Sequence, residues 1–169
     1  MPKYKLRIFP SDLGWMALVS RGKNIEQLTF GHASRAAAKR GIDRELIDRA
    51  EFVADQTELT ERFQRYAAGG RDSFTDVNVN LEPFSHFQRR VLAECRRIPF
   101  GYTISYIDLA AKAGFYRAAR AVGNCMAANR VPLIIPCHRV VCSNGRIGSY
   151  SGPGGTKMKR RLLKLERLK

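Results

Sequence analysis

Three short runs at the head of the chain, YKLRIF (4–9), GWMALVS (14–20) and IEQLTF (25–30), constrain the fold more than any other feature. They are rich in β-branched and aromatic residues, and the turn signals PSDLG and RGKN separate them. Each run therefore predicts a strand, and the set predicts an antiparallel meander. Helical signals follow in HASRAAAKRG and in a segment of mixed charge over 43–68, where Leu59, Phe63 and Tyr66 recur three or four residues apart. This spacing predicts one or two helices, the last stopped by Gly69-Gly70. The stretch FTDVNVNLEPF (74–84), alternating at Val77 and Val79 before a proline, predicts a final short strand and a linker. A domain boundary is expected near 82–85.

Beyond it the periodicity is helical throughout. Ser85 and Gln88 form an S-x-x-Q capping box that opens a helix with the apolar stripe Phe87, Val91, Leu92, Cys95 and Ile98, which assigns Cys95 to the core. After the turn PFGYT, Ser105 and Asp108 repeat the capping arrangement at the head of SYIDLAAKAG, and Gly114 is a natural stop. RAARAVGNCMAA (117–128) predicts a second helix close behind, so the pair reads as a helix-turn-helix. That second helix is almost bare of bulk along Ala118, Ala119, Ala121, Gly123, Ala127 and Ala128. Either it packs closely on a neighbour or it lies against something that admits no bulk.

Charge separates the two halves. Residues 1–83 hold 13 Lys+Arg against 12 Asp+Glu, whereas residues 84–169 hold 17 against 3. So one-sided a balance is a usual electrostatic footprint of nucleic-acid binding, although an anionic membrane or a ribosomal neighbour could also exploit it. No apolar run approaches the ~18 residues needed to span a bilayer, and the start MPKYKLRIFPSDLGW lacks the apolar stretch of a signal peptide. A reducing cytoplasm is the expected compartment, where four cysteines at 95, 125, 137 and 142 favour free thiols or catalysis over disulfides. Cys137 and Cys142 lack the close pairing of zinc sites, so no metal is expected. Cys125 among alanines and Cys142 in an apolar strand read as packing residues. His32 and His86 have no evident partners and read as surface or cap residues.

The run IPCHRVV (134–140) sets a thiol beside an imidazole. A buried cysteine in an apolar run is more often core than nucleophile, and that reading accounts for Ile134, Ile135, Val140 and Val141. It leaves His138 and Arg139 in the same run without a reason.

FGYTISY, AARAVGN, the turn from Asn129 to Pro132, IPCHRVV and GSYSG, in this order and at these intervals, resemble the active-site half of the O6-alkylguanine-DNA alkyltransferase family. The resemblance runs from about Ser85 to Glu166. For residues 1–83 it extends only to the layout of a small sheet with helices and implies a ribonuclease-H-like α/β domain. For residues 84–169 it implies a mainly helical DNA-binding and active-site domain with a winged-helix-like helix-turn-helix. The implied activity is repair by direct reversal: single-use transfer of an alkyl group from O6-alkylguanine, and from O4-alkylthymine, in double-stranded DNA to the protein's own cysteine. The implied protein is a monomer without cofactor, cytoplasmic and, in a bacterium, associated with the nucleoid.

Cys137 is then the acceptor, since a thiolate is the apt side-chain nucleophile for displacement at carbon. His138 is the base, reached through one ordered water, and its other nitrogen needs an acceptor. Of the three acids in the second half, Glu94 and Asp108 have local tasks in capped helices; Glu166 is left, and the resemblance places its glutamate there too. The resemblance further implies that Tyr106 assists rotation of the nucleotide and donates a proton to the departing base. By the same resemblance Arg120 is expected to fill the gap left by the extruded nucleotide while its helix, with Ala119 and Ala127 on the bare face, sits in the minor groove. The resemblance also implies that Asn129 braces the turn beside the cysteine, that Ser151 stands near the alkylated oxygen with Tyr150 beside it, and that the backbone at Cys137 and Val140 receives the exocyclic amine of the base; Met126 is expected on the same wall, although a Met at helical spacing is more often core. The chain departs from the family pattern at Pro153-Gly154, about two residues longer, which bears on the pocket loop. Two readings from other classes remain: a helix-turn-helix regulator without chemistry, which leaves IPCHRVV unexplained, and a Cys-His acyl hydrolase, which needs an oxyanion hole and turnover. A third stays within the family, a binder of alkylated DNA with tryptophan in the cysteine's place, and Cys137 argues against it.

Overall fold

The structure, a computed structural model, describes residues 1–167. The chain divides into two compact units, one of residues 1–72 and 76–80 and the other of residues 73–75 and from Leu81 onward.

The first unit is built on β1 (Tyr4–Phe9), β2 (Trp15–Arg21) and β3 (Asn24–His32), an antiparallel meander in which Leu6 faces Val19 and Leu18 faces Leu28. Strand periodicity sends Leu6, Ala17 and Val19 to one face, where they pack with Ala38 of α1 (Arg35–Arg40) and Leu46 of α2 (Arg44–Arg49). The opposite face carries α3 (Glu58–Ala67), whose Phe63 ring stacks 6.4 Å from Phe9. The stretch read as helical from 43 to 68 also contains a strand, β4 (Ala50–Phe52), parallel to β1. Its three residues are too few and too exposed to show an alternating pattern, so only pairing with distant β1, where Ala50 partners Tyr4, reveals it. β5 (Asn78–Val79) joins the other edge, and the sheet order is β4-β1-β2-β3-β5. His32 is corrected as well: it is half-buried, with Nε2 2.6 Å from the Thr29 hydroxyl. His86 is exposed at the head of α4.

In the second unit the Ser85–Gln88 box forms as expected and opens α4 (His86–Arg96), burying Val91, Leu92 and Cys95. Ser105 caps α5 (Tyr106–Lys112), which ends at Gly114. Arg90 of α4 closes that end by donating Nε to the Ala113 carbonyl. The next helix, α6 (Ala119–Ala127), starts two residues later than its composition suggests, because Arg117 takes a left-handed φ of 62°. It buries Val122, Cys125 and Met126 and leaves Arg120, Ala121, Asn124 and Ala127 exposed. A two-stranded parallel ladder pairs β6 (Ile104–Ser105) with β7 (Val140–Val141) and so fixes the head of α5 beside the segment that follows Cys137. The ladder stops at Val141. Cys142, expected within an apolar strand, instead heads a tight loop closed by its N–H to the Arg146 carbonyl and is only half-buried. The unit ends in α7 (Gly155–Arg167). No helix among the described residues is long and apolar enough to cross a membrane.

Candidate active site

The backbone around Cys137 is shaped by its turn residues. Asn129 accepts the Val131 N–H on Oδ1 and donates Nδ2 to the Ile135 carbonyl, clamping the turn at both ends. Leu133 inside it takes a φ of 71°, a conformation costly for a residue with a Cβ that the clamp holds in place. After Pro136 the chain enters one turn of 3-10 helix, Cys137–Arg139. Cys137 and His138 are therefore not on opposite faces of an extended strand. All three residues of the turn are buried.

His138 and Arg139 converge on one carboxylate of α7. His138 Nε2 lies 2.8 Å from Glu166 Oε1, and Arg139 donates Nη2 to the same oxygen at 2.8 Å and Nε to Oε2 at 3.0 Å. Arg139 Nη1 also donates to the Ile98 carbonyl at 2.6 Å, and the Gly101 N–H donates to Glu166 Oε2. Burial alone would raise the Glu166 carboxyl; the hydrogen bonds and charges of His138 and Arg139 overcome it and hold the group well below the carboxylate range. His138 shifts down, because burial disfavours the imidazolium more than Glu166 favours it. Since the Arg139 guanidinium already balances the carboxylate, the imidazole is neutral at neutral pH. Its Nε2–H then donates to Glu166, and Nδ1 is the acceptor; that atom has no hydrogen-bond partner among the described residues.

The Cys137 thiol is pushed up by burial, against which work a hydrogen bond from the Asn129 side chain, the charge of Lys159 and the backbone N–H groups of residues 137 and 138. Lys159 is the residue that sequence reasoning missed, and Arg139, noted there as unexplained, is the one to which it gave no role. Lys159 is 1% exposed, and its ammonium donates to the Val140 carbonyl at 2.6 Å, the Tyr106 hydroxyl at 3.2 Å and the Ser149 carbonyl at 3.3 Å. Burial lowers its pKa, while Cys137 and Cys142 act the other way. The signal was present in the sequence: Lys159 occupies the same helical stripe as Leu162, Leu163 and Glu166, where a surface lysine has no place.

Tyr106, at the first position of α5, is pushed up by burial and by the thiols at 142 and 137, so its hydroxyl keeps its proton. Gly148, with φ 78°, makes room for it: a Cβ there would stand 3.0 Å from the Tyr106 oxygen and 3.4 Å from Cys142 Sγ. Tyr106, Met126, Ala127, Cys137, Tyr150 and Ser151, all singled out in the sequence, line one pocket of about 120 Å³ together with Gly123 and Ser149. Ser151 donates Oγ to the Ala127 carbonyl, tying the pocket loop to α6. His138 and Glu166 are sealed beneath. Arg120 and Ala119 lie on α6 outside the lining; Asn129, in the turn, and Val140, in β7, are also outside it, and the Val140 carbonyl already accepts from Lys159, leaving one lone pair for a ligand. Cys95 and Cys125 are buried free thiols; burial pushes Cys125 up to about 11, with Cys137 adding to the shift.

Known proteins match both the sequence and this architecture. A sequence model described as the DNA binding domain of 6-O-methylguanine DNA methyltransferase matches residues 86–168. The methylated-DNA–protein-cysteine methyltransferase of Metallosphaera sedula is 35% identical over 158 residues, covering 94% of this chain and 90% of its own. The protein of the same name from Cricetulus griseus is 54% identical over 170 residues, covering 95% of this chain and 81% of its own. Among solved structures, Mycobacterium tuberculosis OGT in complex with DNA superposes with a TM-score of 0.78 at 30% identity, over 97% of this chain and 93% of that one.

Proposed function

This chain belongs to the O6-methylguanine DNA methyltransferase family, and from that premise we propose that Cys137 is the residue that takes the alkyl group. The protein repairs DNA by direct reversal, transferring a methyl group from O6-methylguanine to its own cysteine once per molecule. Cys137 Sγ forms a bond to the alkyl carbon as the bond from that carbon to the guanine oxygen breaks. The thiol proton passes through one water to His138 Nδ1, and the imidazolium so formed is stabilised across Nε2 by Glu166. The departing base takes a proton from Tyr106, whose hydroxyl the Lys159 ammonium polarises. The product thioether has no group near it that could hydrolyse it. The observation that carries this reading is the free Nδ1 of a neutral, buried His138 on the residue next to a pocket-lining thiol.

The finer reading extends to O4-alkylthymine, and to extrusion of the damaged nucleotide into the pocket of Cys137. α6 supports the latter, since its exposed face offers alanines that fit a minor groove about 6 Å wide and one long cation, Arg120, to fill the gap left in the stack. Residues 84–169 form the DNA-binding and active-site domain, in which α5, its turn and α6 are the helix-turn-helix of a winged-helix-like fold. Residues 1–83 form the ribonuclease-H-like domain, a reading supported by a strand, β4, that returns parallel to β1 after two helices. The protein acts as a cytoplasmic monomer. Cys137→Ser tests the assignment: duplex binding should persist at wild-type affinity while transfer is abolished. Retained transfer would move the acceptor elsewhere.

A further inference from the structure

The first unit carries a groove to which no part of this chemistry assigns a task. Residues 1–83 are nearly balanced in charge, 13 Lys+Arg against 12 Asp+Glu, yet four of those cations, Lys3, Lys5, Arg7 and Lys23, line one cavity of about 540 Å³. Strand geometry gathers them. Lys5 and Arg7 alternate with the core residue Leu6, so they share the sheet face of their register partners Ser20 and Leu18. Lys23 comes from the β2–β3 hairpin, and the N-terminal arm closes that end, because a Cβ on Gly22 would stand 3.5 Å from the Pro2 ring. Leu18, Ile25 and Leu59 give the cavity an apolar floor, with the hydroxyls of Ser20 and Thr57 at its wall.

The cations differ in their state. Arg7 is 9% exposed and committed: its fork takes Asp55 at 2.8 and 3.0 Å, and Nη1 reaches the Ser20 hydroxyl at 3.3 Å. Lys3, Lys5 and Lys23 are exposed. The carboxylates facing them are Asp55, already held by Arg7 and also acted on by Lys5, and Glu51, the register partner of Lys5 on β4. Three exposed ammonium groups around an apolar floor suit a ligand with an anionic end and a flat, uncharged body. The volume falls within the ~300–1,000 Å³ of small-ligand sites.

We propose that this groove is a second binding site, independent of Cys137, for a phosphate ester on a planar body: a nucleotide, free or as one unit of a nucleic-acid strand. The phosphate lies among Lys3, Lys5 and Lys23, and the base lies on Leu18, Ile25 and Leu59. Fluorescent adenosine 5′-monophosphate, followed by anisotropy at physiological salt on the full chain, measures it. Binding should saturate, unlabelled nucleotide should compete at least tenfold better than inorganic phosphate or adenosine, and Lys5→Glu with Lys23→Glu should weaken binding tenfold or more. The neutral pair Lys5→Gln with Lys23→Gln should give a smaller loss in the same direction. A single-stranded oligonucleotide carrying a photoreactive base distinguishes the source: crosslinks to peptides spanning residues 2–25 assign the site to a strand, and their absence beside intact nucleotide binding assigns it to free nucleotide. No saturable binding, equal competition by phosphate or adenosine, or indifference to both charge pairs overturns the proposal. Alkyl transfer from a free alkylated base, measured on the same preparations, should be unchanged by either pair. Its loss in wild type would instead strike the assignment of Cys137 and leave the groove untouched.

Discussion

His138 Nε2 lies 2.8 Å from Glu166 Oε1, and the same oxygen receives Arg139 Nη2, so two consecutive residues share one buried carboxylate. The arrangement separates two duties: Arg139 balances the charge, and His138 is left neutral with a basic nitrogen to spare. Both polar residues of IPCHRVV thus meet on Glu166, and the Nδ1 of His138 is the nitrogen proposed to serve the thiol.

Glu166→Gln should weaken both stability and transfer. Leaving Arg139 buried without its carboxylate costs about 3–5 kcal/mol, to be read by urea denaturation, and transfer should slow by roughly tenfold or more as His138 loses its orienting partner. The pH dependence has a definite sign. The folded-state pKa of Glu166 lies below its ordinary 4.5, so its contribution is fully present above that value and is lost as pH falls below it through the folded-state pKa. The wild-type advantage over the variant should therefore shrink in acid; an advantage that grew there would remove Glu166 from this role.

Lys159→Met replaces a buried ammonium by an apolar chain of similar length. Without the cation the Cys137 thiol, already raised by burial, should rise further, and the pH profile of transfer from a free alkylated base to Cys137 should shift to more alkaline pH. Because the thiolate is the reacting form, the rate of either protein should increase with pH across the neutral range. Coincident pH profiles for variant and wild type would show that Lys159 only fills space.

Gly148→Ala should disturb Tyr106 without meeting the Cys137 thiol. The position has φ 78°, and a Cβ would press on the Tyr106 oxygen at 3.0 Å, so a stability loss of about 1–2 kcal/mol is expected from the backbone. Repair of duplex should fall more than simple alkylation of Cys137 by iodoacetamide. Equal losses would mean that the substitution damages the whole unit.

Arg120→Ala tests extrusion of the nucleotide. Single-turnover transfer from alkylated duplex should collapse, because breaking the stack costs a few kcal/mol, while reaction with the free alkylated base should hardly change. Arg120→Lys should restore only part of the duplex rate, keeping the charge but lacking the planar guanidinium. Equal losses on both substrates would assign Arg120 to the pocket or the fold.

These residues also show what a sequence discloses and what it hides. The start of α4 was legible because a capping box and an apolar stripe are local signals, the box closed within three residues of Ser85 and the stripe carried by the helix itself. The meander was legible for the same reason. β4 was not, since its existence depends on pairing with β1 rather than on its own three residues. Glu166 stood out because the second half has only three acids to choose from. Lys159 was hidden among the many cations of that half, and only its position in the buried stripe of α7 distinguishes it from Lys157 and Arg160, which are exposed. The partner of His32 was invisible because a bulged stretch of β3 sets the contact.

The most direct test of the account is mass spectrometry after incubation with excess duplex bearing isotopically labelled O6-methylguanine. The intact mass should increase by one methyl group and stop there, however long the incubation, and digestion should place the label on Cys137 alone. Label on Cys95, Cys125 or Cys142, or demethylated DNA accumulating beyond one equivalent of protein, would contradict it.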